Sequence, residues 1–77
     1  MSDSAIDRAI LSAVDGNWRK VAMVLSKTAH AMGSDLPGED KGYDLIAQRV
    51  EALVLEGRLM ARGDIKNWRF SEVCLPG

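Results

Sequence analysis

The chain has 77 residues, with 10 Lys+Arg against 11 Asp+Glu and a formal charge of −1. That length holds one domain, 1–77, and the near-zero charge excludes both a strongly basic nucleic-acid protein and an acidic solvating tail. At 47% hydrophobic and 27% charged, the composition is that of a folded domain and not of a disordered segment.

The first periodic segment covers about 4–14. Ile6, Ile10, Ala13 and Val14 fall on one helical face. Ser4 and Asp7 have the spacing of a capping box, with Asp in place of the usual Glu. Gly16 suits the left-handed position after this helix, and Asn17 suits the cap of the next. The second helix is expected over about 18–32, with Trp18, Val21, Ala22, Leu25, Ala29 and Met32 as its apolar stripe and Gly33 as its stop. Residues 33–42 hold three glycines, one proline and three acids, which predicts a loop with Leu36 as its single apolar anchor. The third helix is expected over about 43–56. Leu45, Ile46, Val50, Leu53 and Val54 face inward by spacing, and Gly57 ends it. After Gly57 the period changes. Residues 58–62 and 68–75 alternate large apolar and polar side chains, which predicts a two-stranded hairpin around a loop at 63–67. A lone hairpin is not stable, so it must lie on the helices.

A chain this short buries only about 60% of the surface its unfolded form exposes. Cys74 is the single cysteine and His30 the single histidine. No disulfide can form within the chain, and no Cys/His zinc site can be built. Stability therefore rests on packing or association, and a lone cysteine fits a reducing compartment, the cytoplasm. No targeting segment is visible at Met1–Ser4, and no apolar run, Ala52–Leu55 included, is long enough for a membrane span.

Three helices followed by a hairpin form an α+β arrangement in the order of a winged helix-turn-helix domain. Its most diagnostic stretch is 53–64, Leu53-Val54-Leu55-Glu56-Gly57-Arg58-Leu59-Met60-Ala61-Arg62-Gly63-Asp64, where a glycine at the exit of the third helix turns the chain straight into a strand. Residues 44–76 also resemble the C-terminal part of a bacterial domain of unknown function. The matching positions are Arg49, Leu53, Glu56-Gly57-Arg58-Leu59, Ala61-Arg62-Gly63-Asp64, Arg69, Glu72-Val73 and Leu75-Pro76. Trp18-Arg19-Lys20-Val21-Ala22 resembles the start of that family's preceding helix. The resemblance covers about two thirds of the chain. It implies a fold and no activity, metal or cofactor.

A winged helix commonly sets its third helix in the major groove and its wing on the backbone, and such a surface should be basic. The charges divide unevenly. Arg19, Lys20 and Lys27 give 17–33 a net +3, and Arg58, Arg62, Lys66 and Arg69 against Asp64 and Glu72 give 58–77 a net +2. Lys41 and Arg49 against Asp35, Glu39, Asp40, Asp44, Glu51 and Glu56 give 34–57 a net −4. The outward face of the third helix is Asp44, Gln48, Glu51 and Leu55, where carboxylates would meet phosphates. The loop before it is also longer than the 3–4 residues usual in a helix-turn-helix.

Two readings stay open. In the first, Lys20, Lys27, Gln48, Arg58, Arg62, Lys66 and Arg69 contact nucleic acid, with Gln48 placed to read an adenine edge. In the second, Leu36, Leu55 and Trp68 form an apolar patch for a protein partner or a second copy. An enzyme is set aside. Cys74 has only His30 as a potential base, and no Gly-rich phosphate loop is present. Trp18, Tyr43, Trp68 and Phe70 are expected to fill the core rather than stack on bases.

Overall fold

Helical spacing of isoleucine, valine and leucine organises the computed structural model, which describes residues 3–33, 39–64 and 66–76. Three helices, α1 (Asp3–Ala13), α2 (Val21–Met32) and α3 (Glu39–Leu55), pack on one another. Three short strands, β1 (Arg19–Lys20), β2 (Met60–Arg62) and β3 (Glu72–Cys74), form an antiparallel sheet in the order β1-β3-β2. Each helix contributes three residues to one apolar core: Ile6, Ile10 and Val14 at α1 and its exit, Val21, Val24 and Leu25 from α2, and Ile46, Val50 and Leu53 from α3. Leu59 and Val73 close it from the sheet side. Leu45, expected inside, is instead at the surface.

The sheet has three strands where two were expected. Arg19 and Lys20 pair with Val73 and Glu72, so α2 begins at Val21 and not at Trp18. The Val21 N–H donates to the Ser71 carbonyl at 3.0 Å, which ties the start of the helix to the sheet. A two-residue strand has no repeat for a periodicity argument to detect. The hairpin strands are also shorter than 58–62 and 68–75. Gly57 adopts φ 79°, and the N–H groups of Arg58 and Leu59 both reach back to the Leu53 carbonyl. Those bonds keep Arg58 in the helix exit. Residues 68–70 form a 3-10 turn, not a strand. Gly63, at φ 86°, leads into it, and a Cβ there would lie 2.8 Å from the Phe70 carbonyl oxygen.

Two further differences bear on α3 and the first turn. The helix spans Glu39–Leu55 and so takes in residues 39–42 of the expected loop, while 34–38 lie outside the described residues. Gly42, expected in that loop, is buried inside the helix. Gly16 is not among the positive-φ glycines. The turn after α1 is made by the Asp15 carboxylate, which accepts the Asn17 N–H at 2.9 Å, so Asn17 caps no helix. Asp7 crosses to α3, where both its oxygens accept Arg49 at 2.8 Å; the Ser4 side chain of the expected capping box lies outside the described residues.

Candidate interaction surface

Residues spaced four, three and four apart fall on one side of a helix. On α3 those are Asp44, Gln48, Glu51 and Leu55. Asp44 and Gln48 are exposed, Glu51 is half-buried, and Leu55 is 81% exposed. The β2–β3 connection runs alongside. Local bonds shape it: the Asp64 carboxylate accepts the Lys66 N–H at 3.1 Å, the Asp64 carbonyl accepts the Asn67 N–H at 2.9 Å, and the Asn67 carbonyl accepts the Phe70 N–H at 2.9 Å. These turns deliver Lys66 and Trp68 to α3.

Trp68 is half-buried and packs against the core from outside. Tyr43 meets it edge-on, with ring centroids 6.3 Å apart and planes at 79°, a favourable aromatic geometry. The Arg69 guanidinium lies 4.6 Å above the Trp68 ring, within cation–π range. Two open clefts result. One, of about 370 Å³, is lined by Asp44, Ala47, Gln48, Glu51, Lys66 and Trp68. The other, of about 350 Å³, is lined by Tyr43, Asp44, Trp68 and Arg69. Asp44 and Trp68 belong to both. Neither Asp44 nor Glu51 has an ion-pair partner among the described residues.

No family model, curated protein or solved structure matches the chain.

Of the seven residues considered for nucleic acid, three, Gln48, Lys66 and Arg69, line the α3 clefts. Arg58 lies in a different cleft with Asp7, Arg8, Leu11 and Ser12. Arg62 is already engaged: its Nε and Nη2 lie 2.9 and 2.8 Å from Glu72 Oε1, and its guanidinium sits 4.6 Å over Trp18. Lys20 faces the same Glu72 across β1 and β3, so one carboxylate stands between two cations. Lys27 is exposed on α2. Of the three apolar residues considered for a partner, Leu55 and Trp68 lie on this side of α3, and Leu36 lies outside the described residues.

Sequence reasoning treated Tyr43 and Phe70 alike as core fillers. Tyr43 instead builds the cleft wall, and Phe70 is 77% exposed. Alternation placed Phe70 in a strand, and only the 3-10 turn sends it outward. Elsewhere, the Arg19 guanidinium beside Asp15 holds that carboxyl at about 2, well below its ordinary 3.8, with help from the Asn17 N–H. The same contact raises Arg19. Cys74 is buried, while His30 is exposed near the end of α2. Among the described residues, no three His, Cys, Asp or Glu side chains group to hold a metal, and no helix is long and apolar enough to cross a membrane.

Proposed function

We propose that the chain is a winged-helix domain whose third helix docks a polypeptide partner instead of a DNA groove. The element order and the sheet order β1-β3-β2 support the winged-helix reading. So does the resemblance of residues 44–76 to the bacterial domain of unknown function. One observation carries the choice of partner: the solvent face of α3 presents Asp44 and Glu51 unpaired, beside an exposed Leu55. A carboxylate held about 4 Å from a phosphate is repelled by about 1–4 kcal/mol at surface dielectrics. The same two carboxylates attract a basic protein surface, and Leu55 with the edge of Trp68 supplies apolar contact.

The partner chemistry follows from that face. It is a polypeptide segment with two basic side chains about one and a half to two helical turns apart, flanking a large apolar one, matched to Asp44, Glu51 and Leu55. A second copy of this chain fits less well. An isologous contact pairs a patch with itself, and this patch would then bring carboxylates together.

Duplex binding is the competing reading, favoured by Gln48, Lys66 and Arg69 at the same clefts. A photo-crosslinking residue at Gln48 separates the two in cells. The expected result is a polypeptide adduct that disappears with Leu55→Glu and with Glu51→Lys and is not formed from position 27. A nucleic-acid adduct at Gln48, or a polypeptide adduct indifferent to both substitutions, overturns the proposal.

A further inference from the structure

The chain has arginines at 8, 19, 49, 58, 62 and 69. Four of them are engaged. Arg19 pairs with Asp15, Arg49 with Asp7, and Arg62 with Glu72, while Arg69 stacks on Trp68. The two left without a carboxylate or ring partner among the described residues, Arg8 and Arg58, line the same cleft. They come from distant parts of the chain, α1 and the exit of α3. That exit is fixed by the Arg58 N–H bond to the Leu53 carbonyl at 2.9 Å.

The cleft measures about 400 Å³ and is completed by Asp7, Leu11 and Ser12. Asp7 is its only lining carboxylate among the described residues, and both oxygens are taken up by Arg49 at 2.8 Å. Glu56, the next carboxylate, lies 3.9 Å from Arg49. The Asp7–Arg49 pair is therefore balanced within itself, and the two free guanidinium groups leave the cleft positive. The Ser12 hydroxyl donates to the Arg8 carbonyl at 2.9 Å, so the donors available to a ligand are the guanidinium N–H groups. Leu11 is half-buried against the core and forms an apolar wall.

Two guanidinium groups brought to one cleft repel unless an anion lies between them. Each is a planar fork matched to the oxygens of a phosphate. We propose that the Arg8–Arg58 cleft binds a phosphate monoester dianion, with Leu11 against the group that carries it. The site shares no lining residue with the α3 clefts, so it stands or falls separately from the docking proposal. The phosphoryl group comes either from a small phosphate ester or from a phosphorylated polypeptide side chain.

The test uses the isotope-labelled full chain, with inorganic phosphate exchanged for chloride at constant ionic strength. Amide shifts at Arg8, Leu11, Ser12 and Arg58 are expected to move and saturate. Arg8→Gln and Arg58→Gln should each weaken the affinity about tenfold, as expected for losing charge-assisted bonds, while Lys27→Gln leaves it unchanged. Both arginines are exposed, so the variants keep the fold, and an unperturbed spectrum away from the cleft verifies this. Phenyl phosphate and a phosphoserine peptide, each against its unphosphorylated form, then distinguish the two sources by which binds more tightly. Shifts that do not saturate, or an affinity indifferent to both arginine substitutions, overturn the proposal.

Discussion

Asp7→Ala should be among the most damaging polar substitutions in this domain. Asp7 is 8% exposed, and its carboxylate joins α1 to α3 through two 2.8 Å bonds to Arg49. The side chains of the pair are only 12% and 23% exposed, so truncating Asp7 takes the paired carboxylate away from a guanidinium that water reaches poorly. Breaking a dry pair from one side costs about 3–5 kcal/mol. Arg49 retains some solvent, and Glu56 at 3.9 Å offers a substitute, so a loss of about 2–3 kcal/mol is expected here. At roughly 0.05–0.15 kcal/mol per residue, a chain of this length has about 4–12 kcal/mol in total. Urea unfolding measures the loss: with a slope near 1 kcal/mol per M, the midpoint should fall by about 2–3 M. Asp7→Leu combined with Arg49→Met should recover most of it, because the pair is then replaced and not broken. A single-variant cost below about 0.5 kcal/mol, or costs that simply add in the double variant, would refute this reasoning.

The Asp15–Arg19 contact predicts a pH dependence. Asp15 titrates lower in the folded chain, at about 2 against 3.8, so its contribution is full above 3.8 and disappears as pH falls toward 2. The stability gap between the wild type and Asp15→Asn in urea titrations should therefore exist at pH 6 and vanish near pH 2; a gap constant over that window counts against the contact. Gly63→Ala forces a Cβ to 2.8 Å from the Phe70 oxygen at φ 86° and should cost about 1–3 kcal/mol by thermal unfolding. Thr28 is fully buried and its hydroxyl has no hydrogen-bond partner among the described residues. Thr28→Val keeps the shape and removes that group, so it should stabilise by about 1 kcal/mol; destabilisation would mean that the hydroxyl is satisfied.

The helical core was legible because burial repeats along α1, α2 and α3. Ile6, Ile10, Val21, Leu25, Ile46, Val50 and Leu53 were all placed inward by spacing, and all are buried. The strand at Arg19–Lys20 was not legible. Its two residues become a strand only because β3 supplies their partners across the sheet, a long-range fact that no local pattern carries. The same limit hid the start of α3, where a glycine-rich segment reads as loop and Gly42 is nevertheless helical. At the candidate surface, the acidic face of α3 followed directly from counting charges by segment. What neutralises each cation did not. Arg62 and Arg58 look alike in sequence, yet one is clamped by Glu72 and Trp18 and the other is free beside Arg8. Only the fold, which sets Glu72 opposite Arg62 across β2 and β3, separates them.

The claim that α3 meets protein and not DNA is tested most directly by titrating the chain with random-sequence duplex across salt, alongside Asp44→Lys/Glu51→Lys. The account predicts no shift for the wild type at tens of micromolar protein, even at about 50 mM salt, and binding that appears in the double variant and weakens steeply as salt rises. Wild-type binding with that steep salt dependence, lost on Lys66→Gln or Arg69→Gln, would contradict it.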